Sequence, residues 1–395
     1  MGRPFHLLAG LTVAAVLLLL PPAAGAAVPP GFVGMNADSV FSLNVSPKRQ
    51  LDTMVASGVE SIRVVFNWSA AQPYPDWNHV PLDQVANYLP SYHVPTTFAQ
   101  TDRIVEAAAR RGLTVLPVVI YTPYWDAAPQ TLTATTVGVP RRAAPYASYL
   151  RLLVMRYGPR GSFWSSHPNV PKIPIRRWQI WNEPDIHSYW PVSGPWAPGY
   201  VRLLRSAHAA IKRADPGAKV VLAGLANYVW TDLAKVYAAG GRNFFDMVAV
   251  HPYTKVPRGV ITILRLVRNV MNRAGDGGKP MILTELGWPS ALGKVSGIPA
   301  DFETTEAGQA RMLAEVLPML ARVRRQLGLM GFYYYTWITH EVKGGSDAFA
   351  FAGLLRFDNG RVTAKPAYWA FCRGALKLEG WRSTAAVATR CARPG

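Results

Sequence analysis

Short apolar runs alternate along this chain with longer segments in which apolar residues recur every three or four positions. The short runs are nearly continuous, as expected for parallel strands that are buried on both faces. They predict strands at residues 31–35, 61–66, 114–120, 178–181, 219–223, 246–250, 281–284 and 329–336.

The segments between these runs have the periodicity of amphipathic helices. They predict helices at residues 47–57, 102–111, 145–157, 199–214, 259–273 and 307–327. Gly58 and Gly112 each follow one of these segments, at the position where a helix commonly ends. An alternation of strands and helices is the pattern of parallel βαβ units.

An open doubly wound sheet and a closed barrel are both built from βαβ units. The chain has no G-x-G-x-x-G loop after its first predicted strand and no G-x-x-x-x-G-K-[ST] loop. Eight predicted strands in 395 residues favour a (β/α)8 barrel, the TIM barrel, as a single domain. We assign the barrel to residues 27–376, and residues 377–395 to a C-terminal tail too short for a core of its own.

The first 26 residues have the pattern of a secretory signal peptide. Arg3 precedes an apolar stretch at 7–20, a Pro-Pro pair ends the stretch, and an A-G-A segment at 24–26 offers a cleavage site. An uncleaved anchor is the alternative, although the stretch is shorter than the ~20 residues of a spanning helix. We expect a secreted protein with no membrane span after signal cleavage.

The only two cysteines, Cys372 and Cys391, lie near the C-terminus. An even number of cysteines in an exported chain favours a disulfide, and two free thiols are the alternative. Their spacing fits no zinc motif, so we expect no metal site.

Lysine and arginine exceed aspartate and glutamate by 19 residues. A basic surface attracts polyanions, but the chain carries no recognisable nucleic-acid-binding motif, and an exported protein rarely meets nucleic acid. An anionic envelope polymer or an acidic polysaccharide is the expected partner. The alternative is that the charge serves solubility alone.

Two segments place a glutamate directly after a predicted strand. They are WQIWNEPD at 178–185, which contains Glu183, and MILTELGWPS at 281–290, which contains Glu285. Barrel enzymes carry catalytic groups at the carboxyl ends of their strands. Cleavage of a glycosidic bond requires a carboxylic acid to protonate the leaving oxygen and a carboxylate to attack the sugar or activate water. Glu183 and Glu285 are candidates for these two roles, and structural ion-pair partners are the alternative.

The W-N-E-P tetrad at 181–184 and the T-E-x-G-W segment at 284–288 resemble those of clan A glycoside hydrolases, in particular families 5 and 39. The resemblance covers roughly residues 31–375. It implies a retaining β-glycosidase with Glu183 as the acid/base and Glu285 as the nucleophile. The segment ELGWPS is also similar to family 17 β-1,3-glucanases, which normally lack the tetrad.

The resemblance implies roles for further residues. Asn182 matches the asparagine that binds the sugar 2-hydroxyl, and Arg63 matches the arginine that braces the nucleophile. His251 and Tyr253, in the segment H-P-Y, match a pair whose tyrosine contacts the nucleophile. Trp337 matches the tryptophan platform beneath the sugar. A core histidine and a core tryptophan are the alternatives for His251 and Trp337.

Tryptophan rings stack on the faces of sugars, so other tryptophans are candidates for sugar subsites. We assign Trp288, inside the second motif, to substrate binding. Packing is the alternative for Trp288 and the better explanation for Trp125, Trp190, Trp196 and Trp230 taken one by one.

The expected enzyme needs no organic cofactor and no metal, because two carboxylates suffice for its chemistry. Its substrate is an oligosaccharide or polysaccharide, and we expect a monomer. Transglycosylation is a variant of the same chemistry. A non-enzymatic alternative is a catalytically silent carbohydrate-binding barrel or an envelope scaffold protein. Loss of either glutamate would have favoured this alternative, and both glutamates are present.

Overall fold

A computed structural model describes residues 28–226, 228–296, 302–342 and 344–391. The signal peptide expected at residues 1–26 lies outside this part of the chain. One sheet contains eight parallel strands: β1 Val33–Asn36, β2 Ser61–Asn67, β3 Thr114–Ile120, β4 Arg177–Ile180, β5 Lys219–Val221, β6 Val248–Val250, β7 Met281–Leu283 and β8 Leu329–Tyr334.

Helices follow the strands and surround the sheet. The longer ones are α1 Pro47–Ala56, α2 Ala99–Ala109, α3 Ala143–Tyr157, α4 Trp196–Ala214, α5 Val229–Ala238, α6 Pro257–Arg273, α7 Glu306–Val323 and α8 Pro366–Leu378. Short helices or 3₁₀ turns lie at Asp38–Ser42, Trp68–Ala71, Trp77–His79, Leu82–Asn87, Ser162–Ser166, Gly241–Phe244, Ala348–Phe351 and Thr384–Arg390.

The strands close into a barrel in sequence order. β1 pairs with both β2 and β8, and the pairing continues to β5 on one side and to β6 on the other. Isolated parallel bridges from Val221 to Met247 and from Leu225 to Val250 join β5 to β6. The predicted (β/α)8 barrel is therefore confirmed.

Packed side chains fill the inside of the barrel. The hydroxyls of Ser61 and Tyr333 lie 2.8 Å apart there. The apolar residues of this inner cluster come from five strands or their ends: Leu116, Val221, Met247, Ala249, Ile282 and Tyr333. A much larger apolar core lies between the strands and the helices. The barrel mouth is consequently the place where polar side chains can gather.

Helix α5 had not been predicted. Its buried apolar residues, Val229, Leu233 and Val236, have the i, i+4, i+7 spacing of one helix face, so the signal was present in the sequence. The predicted helix at 307–327 ends earlier, at Val323, and α2 and α4 begin three residues before their predicted starts.

A small sheet after β8 had also not been predicted. It consists of Ile338–His340, Leu355–Asp358 and Arg361–Ala364. Asp358 pairs with Arg361, so Asn359 and Gly360 form a two-residue turn, both with positive φ. Asn-Gly is a strong hairpin signal. A two-stranded ribbon, Leu132–Thr133 with Thr136–Val137, lies in the loop after β3.

Cys372 and Cys391 form the expected disulfide, with a Cα–Cα distance of 5.9 Å. It joins α8 to the short helix Thr384–Arg390, and Val387 of that helix packs against Leu376. The tail thus docks on the barrel instead of forming a separate unit. Within the described part of the chain, no helix combines the length and the apolar character needed to cross a bilayer.

Candidate active site

Polar side chains meet at the carboxyl ends of the barrel strands. Arg63 lies within β2, Glu183 follows β4, His251 follows β6 and Glu285 follows β7. Glu183 and Glu285 are each 8% exposed, Arg63 is 4% exposed and His251 is fully buried. A buried charge requires a charged or hydrogen-bonding partner, so these groups must satisfy one another.

Arg63 lies at the base of the site and donates four hydrogen bonds. Its Nη1 donates to Glu285 at 2.9 Å and to Asn36 at 2.7 Å. Its Nε donates to Gln179 at 2.8 Å, and its Nη2 donates to Asn182 at 2.7 Å. The expected Arg63–Glu285 ion pair is therefore present, and the planar guanidinium fixes the carboxylate and Asn182 relative to each other.

Glu285 is held in its ionised form. The Tyr253 hydroxyl donates to its second oxygen at 2.8 Å, while Arg63 donates to the first. Burial acts to raise the pKa of Glu285. Electrostatic interactions with His251 and Arg63, together with the hydrogen bonds from Tyr253 and Arg63, outweigh burial and lower this pKa below its usual value. An ionised carboxylate is the form that a nucleophile requires.

Glu183 has the opposite character. Burial raises its pKa, and the nearby charge of Glu285 adds to this effect, against the lowering contribution of His251. His251 Nδ1 lies 2.6 Å from Glu183, and His251 Nε2 lies 2.9 Å from the Thr284 hydroxyl. A carboxyl with a raised pKa is suited to donate a proton.

Glu183, His251 and Glu285 form a compact triangle. One oxygen of each carboxylate and a ring nitrogen of His251 all lie within 4.8 Å of one another. These three side chains could also hold a metal ion. However, both His251 nitrogens and both Glu285 oxygens already take part in hydrogen bonds. The chemistry that this arrangement offers directly is proton transfer and nucleophilic attack by two carboxyl groups.

The backbone around Glu183 is unusual. Trp181 has φ +70° and Glu183 has φ +40°, values that favour glycine. The Glu183 amide donates to the Gly224 carbonyl at 2.9 Å, which ties the end of β4 to the end of β5. A Cβ at Gly224 would lie 1.9 Å from His251 Nε2, so only glycine leaves room for the ring. The local fold thus orients both Glu183 and its histidine partner.

Two adjoining cavities open over the carboxylates, and Glu285, Tyr189 and Tyr335 line both. The first has a volume of about 310 Å³, and its other lining residues are Glu183, Ile186, Ala226, Tyr253, Phe302, Asp347 and Phe349. The second has a volume of about 260 Å³, and its other lining residues are Asp38, Arg63, Val65, Val118, Ile120, Tyr121 and Asn182. Together they form a polar cleft with aromatic walls.

The structure does not bring Trp337 to this cleft, which corrects the expectation of a tryptophan platform there. Its side chain is fully buried, its indole N–H donates to Gln50 at 2.9 Å, and its ring packs edge-on against Tyr368. Tyr335, two residues earlier, lines both cavities instead. The family resemblance pointed to the Trp337 side chain. In the structure, the backbone directs the Tyr335 side chain towards the carboxylates instead.

Trp288 also lies outside the two cavities. It is 1% exposed, and its indole N–H donates to the Thr254 carbonyl at 2.6 Å. We therefore correct its assignment to substrate binding: Trp288 packs behind the site and fixes the loop after β6. In the described part of the chain, the lining residues of the two cavities include no tryptophan.

Several lining residues had not been predicted. Asp38 follows β1 and accepts a hydrogen bond from the Val65 amide at 2.7 Å, and burial raises its pKa. Tyr121 follows β3 with φ +72°. A polar or aromatic residue within two positions of the end of a barrel strand was the signal that could have identified both. Tyr189 lies in a loop, where the sequence offers no such signal.

Comparison with known proteins shows the fold. No family model and no curated protein matches the chain. Solved structures do: a family 39 glycoside hydrolase from Bacteroides cellulosilyticus matches with TM-score 0.60 and 19% identity, over 89% of this chain and 64% of its own. A monomeric β-xylosidase from Caulobacter crescentus matches with TM-score 0.59 and 19% identity, over 89% and 69%.

A third similar structure is a family 5, subfamily 18 protein from Streptomyces cattleya in complex with N-acetylglucosamine. It matches with TM-score 0.61 and 17% identity, over 91% of this chain and 82% of its own. The chain spans less than two thirds of the length of the family 39 protein. At these identities the matches show a shared architecture, the (β/α)8 barrel.

Proposed function

We propose that the protein is a retaining glycoside hydrolase that cleaves a β-linked glycan, with Glu183 as the acid/base and Glu285 as the nucleophile. The observation that carries this proposal is the contrast between two buried carboxyl groups in one cleft. The pKa of Glu183 is raised and that of Glu285 is lowered. Their nearest oxygens lie within 4.8 Å, in keeping with the retaining spacing of about 5–5.5 Å between carboxyl groups.

In the first step, Glu285 attacks the anomeric carbon while Glu183 gives its proton to the departing glycosidic oxygen. The C–O bond to the leaving group breaks, and a covalent glycosyl-enzyme forms on Glu285. Arg63 and Tyr253 hold the Glu285 carboxylate in place for this attack. Asn182 is fixed by Arg63 through its side-chain oxygen, which leaves its amide N–H₂ available to a sugar hydroxyl.

In the second step, Glu183 acts as a base. The negative charge of Glu285 contributes to the raised pKa of Glu183, and that charge disappears when Glu285 becomes esterified. The pKa of Glu183 therefore falls in the intermediate, so the carboxylate can take a proton from water. The water attacks the anomeric carbon from the face that the leaving group vacated, and the two inversions give net retention.

The nature of the substrate rests on the aromatic cleft and on the proteins that share the fold. Tyr335, Phe302 and Phe349 give the cleft the flat apolar walls against which sugar rings pack. A β-xylosidase is among the similar structures. The pattern of the first 26 residues supports secretion, and N-terminal sequencing of protein from a culture supernatant tests it. We also propose that the enzyme acts as a monomer.

Azide rescue of two variants tests the catalytic assignment. With an aryl β-glycoside that carries an activated leaving group, Glu183→Ala still forms the glycosyl-enzyme, because this leaving group needs no proton. Azide then attacks the intermediate and gives the β-glycosyl azide. With Glu285→Ala, azide enters the vacated space directly and gives the α-glycosyl azide. NMR spectroscopy of the products distinguishes the two anomers.

Glu106→Ala, on the exposed face of α2, is the control and should retain full activity without azide. The assignment fails if both catalytic variants give the same anomer or if either retains wild-type activity. A wild-type protein that cleaves no member of a broad panel of β-glycosides would favour the silent carbohydrate-binding barrel instead.

A further inference from the structure

A basic surface surrounds the C-terminal helix Thr384–Arg390, and we call it the tail face. Its centre is a cavity of about 460 Å³ between α8 and that helix. The lining residues are Trp369, Arg373, Lys377, Trp381, Arg382, Thr384, Val387, Ala388 and Cys391. None of these residues is acidic, and the catalytic mechanism uses none of them.

The tail face lies at the opposite end of the barrel from the catalytic cleft. The Leu378 carbonyl, at the end of α8, accepts a hydrogen bond from Val28, which precedes β1. Gly58, which precedes β2, also faces the end of α8, at Ala375 and Glu379. These contacts put the tail face beside the amino ends of the strands, whereas Glu183 and Glu285 follow the carboxyl ends. A ligand bound here leaves the cleft open.

The cations of the tail face are available to a ligand. Arg373, Lys377 and Arg382 are exposed, and none of them forms an ion pair with another described residue. A second cavity of about 530 Å³, on the α1 side of the terminal helix, is lined by Lys48, Arg49 and Arg390 among others. Both sides of the helix are therefore positively charged.

The second cavity has one acidic lining residue, Asp52, and this residue is already paired with Arg111 at 2.6 Å. Glu379 lies beside the tail face and hydrogen-bonds to Trp381. Burial and the charge of Glu60 raise the pKa of Glu379 to about 7, so a large fraction of this carboxyl is uncharged near neutral pH. Neither carboxyl cancels the positive charge of the surface.

Aromatic rings accompany these cations. Trp381 is 37% exposed, and the guanidinium of Arg390 lies 4.6 Å from the centroid of one of its rings. Trp369 lines the same cavity. The disulfide between Cys372 and Cys391 holds α8 and the terminal helix together, which keeps this arrangement in one geometry. Flat rings that pack against sugars, next to cations that pair with carboxylates, match the chemistry of an acidic polysaccharide.

We propose that the tail face is a second, non-catalytic site that binds a carboxylate-bearing polysaccharide. The preference for a polysaccharide over a nucleic acid rests on the proposed function, because a glycan-cleaving enzyme gains from attachment to a glycan matrix. The positive character of the site does not depend on that function. The net charge of +19 steers a polyanion to the molecule, and the tail face gives it a defined place to bind.

Affinity electrophoresis through gels that contain polygalacturonate tests this proposal. Fully methyl-esterified polygalacturonate is the matched uncharged polymer. The full-length protein carries Glu285→Ala, so that catalysis plays no part in the measurement. We expect retardation by the acidic polymer alone. The variant R373Q/K377Q/R382Q should bind about tenfold or more weakly, because it loses three charge contacts of modest individual strength.

The control variant R213Q/R265Q/R322Q removes the same charge from exposed positions on α4, α6 and α7 and should bind nearly as tightly as the parent protein. Trp381→Ala should weaken binding without any change in net charge. Equal losses of affinity in the two triple variants would show a diffuse electrostatic attraction and overturn the proposal. Undiminished binding by the tail-face variant would also overturn it. Single-stranded DNA that binds as tightly, and competes, would identify a nucleic-acid site instead.

A protein that cleaves no glycoside but shows the expected binding pattern would refute the proposed function and leave the tail face as a binding site. An active enzyme that lacks the expected binding pattern would support the proposed function and refute the tail face as a binding site. The two proposals therefore fail separately.

Discussion

Arg63 shows how a single buried charge determines the geometry around it. A guanidinium in a strand core is stable only when its donors find acceptors, and here four acceptors from different parts of the barrel take up four of its five N–H groups. Glu285 is one of these acceptors, so the charge that Arg63 requires is also the charge that the proposed reaction uses. Stability and the proposed catalysis depend on the same contact at this residue.

A Tyr253→Phe variant tests whether the Tyr253 hydroxyl lowers the pKa of Glu285. This hydroxyl stabilises the ionised carboxylate, so Tyr253→Phe should raise the pKa of Glu285. Because Glu285 must be ionised to react, the acidic limb of the pH profile of kcat/KM should move to higher pH. Loss of a hydrogen bond to a charged group should lower kcat/KM by about 10-fold to 100-fold.

Tyr228→Phe is the matched control, because Tyr228 is 67% exposed and lines neither cavity. It should leave both the rate and the profile unchanged. A Tyr253→Phe profile that overlays that of the wild type would show that this hydroxyl does not tune the nucleophile.

The sequence was most informative about residues that lie in motifs. Glu183, Glu285 and Arg63 were expected in one site, and the structure brings them together because they occupy the ends or interiors of barrel strands. It was least informative about residues whose direction depends on the backbone. Nothing in the order Tyr335-Thr336-Trp337 shows which ring faces the cleft.

At the scale of elements, the junction of β5 and β6 shows how closely strand ends approach one another. Gly224 follows β5, and the His251 ring, which follows β6, occupies the space where a side chain at position 224 would be. The amide of Glu183 bonds to Gly224 from the side of β4. Three consecutive strands thus position one histidine and the carboxyl group that we propose as the acid/base.

Gly224→Ala should displace the His251 ring without removing any catalytic group. The added Cβ would lie 1.9 Å from His251 Nε2, so the ring must move and its bond to Glu183 must change. A displacement of about 1 Å near reacting groups costs on the order of 100-fold in rate, and we expect that loss in kcat. Steady-state kinetics measure it, and circular dichroism checks that the fold persists.

Gly278→Ala provides the comparison, because a Cβ at that position would meet no atom within 4 Å. Its kinetics should match the wild type. If Gly224→Ala is equally active, the position of the His251 ring is not critical for the reaction.

Elements with strong periodicity were predictable, and those specified by a few residues were not. β3 has its predicted bounds because a short, continuous apolar run rich in β-branched residues is typical of a strand covered on both faces. The ribbon around Asn359 and Gly360 depends on a two-residue turn, and it was missed because its flanking strands are four residues each. Tertiary packing against Ile338–His340 stabilises strands this short.

At the scale of the whole molecule, buried acids couple stability to pH. Burial, and then the charge of Glu183, raises the pKa of Asp185 to about 7. The folded state therefore holds a proton that the unfolded state, with an ordinary pKa near 3.8, has released. Such a group favours folding at low pH, and its contribution disappears as pH rises from about 4 to 7.

Asp185→Asn should remove this dependence. Relative to the wild type, the variant should gain stability as pH rises from 5 to 7.5, by about 1–3 kcal/mol. Denaturant unfolding at the two pH values measures the free energy of unfolding of each protein. Subtracting the wild-type change from that of the variant cancels the general effect of net charge. Asp83→Asn, in the exposed 3₁₀ turn Leu82–Asn87, should show no such gain. Equal pH responses in both variants would contradict the argument.

The left-handed backbone at Trp181 and Glu183 has a consequence for stability. Residues with side chains adopt this conformation at a cost of about 1–3 kcal/mol, and the buried carboxyl of Glu183 adds a desolvation cost. Glycine at position 183 relieves both costs and abolishes the acid. Replacement of Glu183 by glycine should therefore give a more stable barrel that lacks the proposed acid, so stability and the proposed function make opposite demands on this position.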